Sequence, residues 1–309
     1  MQIEKLFIDQ SVAHSPDTEL FVRKLALRPR FVDGPDAVYA SVNASADPIS
    51  QGKKVLYLTR NKGAFVRSCP GTREYTCCGY QILHIGTYCT MDCAYCILQS
   101  YFHPPVLQFF LNYERMNAEL AETFANNAIS RIGTGEFTDS MIWELWSPLS
   151  RRLIPQFARQ RRAVLELKTK STAIDHLADL EHNRKTIMAW SLNTPRVIAE
   201  AERGTASLEA RLRAAAQCQS WGYPLAFHFD PMVIYAGCEA EYESVVDRLF
   251  ERVDGRHIVW ISLGSFRFMP DLKAIVERRF PKTKIVYGEF IPGLDGKMRY
   301  FQPLRTALY

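Results

Sequence analysis

The chain reads as an α/β protein, with a partial (β/α)6 barrel of the TIM type over residues 80–309 and a small α/β segment over residues 1–79 before it. Three observations predict this. Six strand-like runs succeed one another from residue 81 onward (81–85, 130–133, 163–167, 186–192, 225–229 and 258–263), each followed by a helical pattern. Such alternation implies a parallel sheet, because parallel neighbours need crossover connections. Six units over roughly 190 residues suit a partial barrel better than the eight units and ~250 residues of a closed one.

In the N-terminal segment, residues 3–8 form a short strand-like run and residues 17–27 a helix opening after Pro16. Residues 53–59 (KKVLYLT) read as a second strand, and Pro29, Gly34, Pro35, Pro48 and Gly52 punctuate the loop between. Further on, Trp143, Trp146, Leu149, Leu153 and Phe157 mark a helical stripe at spacings of three and four. Ile174 and Leu177 fall on a short helix. Leu208, Leu212 and Ala215 give the apolar face of a helix opening near residues 205–207 and ended by Gly222 with Pro224. Tyr242, Val245, Val246, Leu249, Phe250 and Val253 form the cleanest stripe, and Leu272, Ile275 and Val276 line the last helix.

The 309 residues are 47% hydrophobic and 23% charged, the balance of a folded globular chain. No run approaches the ~18 apolar residues of a membrane span, and MQIEKLFIDQ lacks a signal-peptide core. Eight cysteines in a chain without a signal sequence point to a reducing cytoplasm and to metal or redox use. The net charge of +5 permits contact with a polyanion without requiring it. Arg151, Arg152, Arg159, Arg161, Arg162, Arg278 and Arg279 could follow phosphates, or equally form solvated helix faces. No helix-turn-helix or RNA-binding signature suggests sequence-specific readout.

The densest chemical signal is Cys89, Cys93 and Cys96, spaced C-x3-C-x2-C directly after the first barrel strand. Four cysteines are the usual ligand set of an iron–sulfur cluster, so three can hold three irons of a [4Fe–4S] cubane and leave the fourth for a substrate or cofactor. Structural zinc sites usually pair one C-x2-4-C with a second pair further on, which makes zinc the competing reading. Cys69, Cys77 and Cys78 lie just upstream and read as a second metal site, a redox pair, a hydrogen-atom-donating thiol or packed apolar side chains. Ligands of parallel α/β folds sit at the carboxyl ends of the strands. The residues there are Gly135-Glu136, Lys168 and Lys170, Ser191 and Asn193, His228 and Asp230, and Ser265 and Arg267. His228 and Asp230, two apart, point to the same side of their strand and could contact substrate or transfer a proton, or form a structural pair.

The cysteine triplet after a first strand, with Gly-Glu after a second, resembles the radical SAM enzymes. A closer resemblance, to the spore photoproduct lyase family of radical SAM DNA photolyases, spans nearly the whole chain. It rests on KLFID near the N-terminus, residues 89–99 (CTMDCAYCILQ), 168–171 (KTKS), 190–194 (WSLNT), 203–207 (RGTAS), 222–231 (GYPLAFHFDP) and 261–268 (ISLGSFRF). The resemblance implies a barrel of the radical SAM kind, a [4Fe–4S] cluster on Cys89, Cys93 and Cys96, and S-adenosylmethionine cleaved to a 5′-deoxyadenosyl radical. It implies Gly135 and Glu136 at the cofactor's amino group, Lys170 at its carboxylate, and Ser191 or Asn193 at its ribose. Damaged DNA or another nucleic acid, and an electron donor of the reductase, flavodoxin or ferredoxin type, are the implied partners. Two positions depart from the family. Its hydrogen-returning cysteine has no counterpart in residues 133–140 (GTGEFTDS), where Phe137 stands about where it would be. Of two relay tyrosines flanking the third cluster cysteine, Tyr95 is present and Ile97 replaces the other. Either another thiol serves, with Cys77 or Cys78 the nearest, or the substrate differs (RNA, a peptide or a small metabolite). A non-catalytic iron–sulfur or zinc protein that binds nucleic acid is the reading from another class.

Overall fold

The computed structural model describes residues 2–71, 76, 78–126 and 128–309. Its largest sheet has seven strands, in the order Ile258–Ser265, Leu225–Met232, Thr186–Ser191, Ala163–Thr169, Ser130–Gly133, Tyr80–Leu83 and Val66–Ser68. The first six are parallel and neighbour one another in chain order, while Val66–Ser68 joins antiparallel. The six parallel strands are the six expected, and their sheet stays open, as a partial barrel does. Arg131 ties the two sides together across the interior. Its guanidinium carbon stands 4.9 Å from the Tyr80 ring centre and 4.8 Å from that of Trp260, on the first and last parallel strands.

A second sheet takes Arg30–Val32, Lys5–Asp9, Val55–Thr59, Leu107–Phe110 and Gly86–Thr87 in that order. Val55–Thr59 is buried throughout, as expected of the central strand in a parallel set. Hydrogen bonding therefore crosses residue 79: Gly86–Thr87 and Leu107–Phe110 complete the N-terminal sheet, and Val66–Ser68 extends the barrel. Trp143, fully buried, packs at a tilt against Phe109 with ring centres 4.7 Å apart and joins the two sheets into one continuous core.

Connections between the strands differ from the expected pattern in two places. The Trp143–Phe157 stripe divides into a 3-10 turn, Ile142–Leu145, and a helix, Leu149–Ala158. Between Ala163–Thr169 and Thr186–Ser191 only a 3-10 turn forms, Asp175–Leu177, and the chain then passes through Asn183 and Arg184 at positive φ before entering the next strand. Leu208–Ser220 opens as expected, with the Ser207 side chain accepting from the Ala210 amide as an N-cap. Cys238–Arg252 buries Tyr242, Val245 and Leu249 but leaves Val246 and Phe250 exposed. Outward-facing Val259, Ile261 and Leu263 are exposed too. The next helix, Pro270–Arg279, packs towards the cysteine loop, where Arg279 meets Gln99, instead of covering the last strand.

Candidate active site

Cys89, Cys93 and Cys96 open onto one cavity of about 360 Å³ at the carboxyl ends of the barrel strands. Gly135, Glu136, Lys168, Lys170, Ser191, Asp230 and Arg267 line the same cavity, together with Tyr95, Ile97, Asp139 and Lys297. Most of the strand-end residues singled out by spacing therefore share one space with the cysteines. Gly135 permits the close approach of two strands, since a Cβ there would stand 3.1 Å from both the Lys168 backbone oxygen and the Ser140 hydroxyl.

The loop is fastened from within. The Met91 amide donates to the Cys89 sulfur at 3.4 Å, and the Ala94 amide donates to the Ala201 carbonyl at 2.7 Å. The Gln99 carboxamide donates to the carbonyls of Cys93 and Ala94 at 3.0 Å and of Cys96 at 3.3 Å. Burial pushes the Cys89 thiol up to about 12, with Asp139 adding to the rise and Lys53 opposing it. Burial likewise raises Cys93, against the pull of Lys170. Metal binding to such thiols releases their protons.

The donor set distinguishes the two metal readings. Among the described residues, no three Cys, His, Asp or Glu side chains close on one point to hold a single ion. Three thiols from one short loop that line one cavity fit a cluster, where each cysteine takes a different iron.

A buried ionic group lies beneath the loop. Tyr95 donates its hydroxyl to Glu202, which also pairs with Arg211. Arg211 is fully buried and donates further to the carbonyls of Ser191 at 2.8 Å and Ala206 at 2.9 Å. Burial alone would raise the Glu202 carboxyl, but Lys170 and Arg211 hold it below the usual range. Burial would lower Lys170, and Glu202 and Cys93 raise it instead. The Lys170 ammonium also stands 5.6 Å from the centre of the Tyr95 ring. Burial, with Glu202 next, drives the Tyr95 phenol well up. Asp139 accepts from the Thr169 hydroxyl at 2.7 Å and the Lys170 amide at 2.9 Å, fixing the strand end that carries Lys170. Spacing could not single out Asp139, Glu202 or Arg211; the only signal near Glu202 is the RGTAS stretch that follows it.

Other candidates lie elsewhere. His228 does not line the cavity but sits one layer deeper, where its ring nitrogens meet Ser262 Oγ at 2.6 Å and Glu166 Oε1 at 2.8 Å. Asp230 is at the cavity and pairs with Arg267 at 3.2 Å. Asn193 is buried away from the cavity, donating to the Pro231 carbonyl at 2.8 Å and accepting from the Tyr242 hydroxyl at 2.8 Å. Cys78 is exposed, outside the cavity lining, and accepts from Arg131 at 3.3 Å. Cys77 lies outside the described residues. Phe137 stacks at 5.9 Å on Tyr101 and meets the His84 ring at 4.9 Å. No helix among the described residues is long and apolar enough to cross a membrane.

Comparison with known proteins leads to one family. The spore photoproduct lyase of Bacillus subtilis (strain 168) is 30% identical over 209 residues, covering 66% of this chain and 61% of the relative. That of Geobacillus sp. (strain Y412MC61) is 29% identical over 210 residues, covering 66% and 62%. The matches thus span under two thirds of these relatives' length. Among solved structures, a spore photoproduct lyase mutant with bound AdoMet and dinucleoside spore photoproduct superposes with a TM-score of 0.84 at 23% identity, covering 100% of this chain and 94% of the other. The family model described as spore photoproduct lyase matches residues 61–290, about three quarters of the chain, and the chain belongs to that family.

Proposed function

We propose that this chain is a radical SAM enzyme of the lyase type that repairs a pyrimidine lesion in DNA. One observation carries the reading: three thiols from one short loop share a cavity with Gly135, Glu136, Lys170 and Ser191. A [4Fe–4S] cluster on Cys89, Cys93 and Cys96, with S-adenosylmethionine, would supply the hydrogen-abstracting radical. The chain's own residues bind, orient and shield. Gly135 and Glu136 offer backbone and carboxylate to an amino group, Lys170 offers a half-buried cation to a carboxylate, and Ser191 offers a hydroxyl to a ribose. The superposed relative holds AdoMet and a dinucleoside lesion, which supports both ligand classes for this cavity.

Four cations, Lys168, Lys170, Arg267 and Lys297, line the cavity and suit a phosphodiester-linked substrate. Lys297 belongs to the hairpin of Phe290–Pro292 and Met298–Tyr300, at whose turn Leu294 is 76% exposed. An apolar tip beside cations suits insertion between bases while a lesion is drawn out of the stack. Electrons from a flavodoxin-, ferredoxin- or reductase-type donor would enter by Cys96 and Ile97, the more accessible edge of the loop. Tyr95, which lines the cavity, would pass the radical back; Cys78 lies outside the cavity lining, which leaves Cys77 as the hydrogen source of the two.

Anaerobic reconstitution with iron and sulfide, then reduction with S-adenosylmethionine and lesion-bearing oligonucleotides, tests the reading. Release of 5′-deoxyadenosine by the parent and not by Cys93→Ala, with label passing from the lesion into it, is expected. Absence of 5′-deoxyadenosine from the parent refutes the enzyme. Its formation without repair leaves the second reading, radical chemistry on another substrate, which Phe137 and Ile97 favour.

A further inference from the structure

The structure assigns Lys53 and Arg279 the role of positioning residues that favour negative charge on the cysteine loop; this rests on the cluster reading above. Neither side chain lines the cavity. Lys53 is fully buried, and its ammonium donates to the carbonyls of Cys89 at 3.2 Å and Met91 at 2.6 Å, while standing 4.3 Å from the centre of the Tyr88 ring. Arg279 donates to Gln99 and to Asp92 at 3.0 Å, and Gln99 in turn holds the carbonyls of Cys93, Ala94 and Cys96. Asp92 is the carboxylate these two cations share, 3.7 Å from Lys53.

The charges around the loop are unevenly matched. Arg279 meets two carboxylates, buried Asp92 at 3.0 Å and half-exposed Asp47 at 3.2 Å, the second of which it helps hold below its ordinary range, whereas Lys53 reaches a carboxylate only at 3.7 Å, in that same Asp92. On the other side of the loop, buried Arg211 and half-buried Lys170 flank Glu202, and Lys170 has a second carboxylate, Asp139, beside it. Asp92 and Glu202 come from paired strands, in which Glu202 faces Cys93 and Arg203 faces Asp92. Lys53 is the exception to this matching: its fully buried ammonium rests on two neutral carbonyls of the loop and a ring face, with Asp92 no nearer than 3.7 Å, in a setting where burying an ammonium is costly. Those neutral partners offer it no full negative charge. A loop of three thiolates, which takes on a further electron when its cluster is reduced, supplies the balancing anion.

The test uses the full-length chain and its Lys53→Met, Lys53→Arg and Arg279→Gln variants, loaded with iron and sulfide and followed by redox titration with electron paramagnetic resonance detection. Thermal melts of the unloaded proteins report folding separately. Lys53→Met is expected to titrate at a more negative midpoint potential than the parent, Arg279→Gln to shift the same way, and Lys53→Arg to stay near the parent. Loading of Lys53→Arg but not of a folded Lys53→Met also supports the cradle, as a loss of cluster affinity. Parental potentials in both charge-removing variants overturn it, as does a Lys53→Arg shift equal to that of Lys53→Met, which would mark packing instead of charge. If Lys53→Met does not fold, Arg279→Gln decides by its own shift. If the parent itself takes up no cluster, the cluster reading falls and this inference with it.

Discussion

Replacing Glu202 by Gln removes one carboxylate from beneath the loop without changing its shape. Glu202 and Arg211 are 1% and 0% exposed, so the change leaves the guanidinium and the nearby Lys170 ammonium without their shared anion. Breaking a buried pair by removing one partner costs about 3–5 kcal/mol. Arg211 keeps neutral acceptors in the carbonyls of Ser191 and Ala206 and the hydroxyl of Thr205, at 2.8–2.9 Å, which places the loss at the lower end, near ~3 kcal/mol. For a chain of this size that lowers Tm by about 6 °C. The pH dependence gives a second check. Burial works to raise the Glu202 carboxyl, but Lys170, Arg211 and Tyr95 outweigh it and hold the group below its ordinary 4.5. A carboxylate depressed by folding contributes stability that is present above the unfolded value and lost as pH falls through the folded one. Parent and Glu202→Gln should thus differ most near neutral pH and converge as pH drops below 4.5. Urea titrations across that range measure the gap. An equal gap at pH 7 and pH 3, or no gap at pH 7, refutes the argument.

Among the described residues the His84 ring finds no hydrogen-bond partner for either nitrogen, and it packs edge-on to Phe110 and Phe137; burial, with Arg67 contributing, lowers it to about 4. Its unfolded value is 6.5, so stability is full above that and drains as pH falls towards 4; His84→Phe should remove the drain, and calorimetry showing parent and variant parallel from pH 7 to 4.5 would contradict this. A Cβ at Gly133 would overlap the Tyr80 hydroxyl and displace the ring that stacks on Arg131, so Gly133→Ala should cost about 2 kcal/mol by denaturant unfolding. Leu294→Glu should leave Tm unchanged and weaken binding to lesion-bearing duplex more than to the free lesion dinucleotide, as measured by fluorescence anisotropy.

The parts of the fold and site that were legible share a local cause. Six parallel strands announce themselves by apolar runs, and Ser207 announces its helix by a side chain that caps the next turn. Leu107–Phe110 and the Phe290–Tyr300 hairpin are short, so pairing partners far away in the chain define them, and no periodicity does. Strand alternation aimed His228 and Asp230 to one side correctly, but two residues along a strand are about 6.6 Å, enough to put His228 a layer below the cavity that Asp230 lines. Asn193 stands two past Ser191, yet the strand ends at Ser191, alternation stops, and the side chain turns to Pro231 and Tyr242.

The same distinction separates the cysteines from the charges around them. Groups that hold a cluster must lie within one loop, because three ligands on a small body need short spacing, and short spacing is visible in a sequence. Groups that face it need only be near and buried, so they can arrive from anywhere: Lys53 from the end of the helix Pro48–Gly52, Asp92 from the loop, Arg279 from the helix Pro270–Arg279. No spacing rule connects these three positions. What connects them is the cost of burying each charge alone, which is offset only when the chain has folded. Along the sequence they are three ordinary charged residues; the folded chain makes them one electrostatic unit that grips the backbone of the cysteine loop.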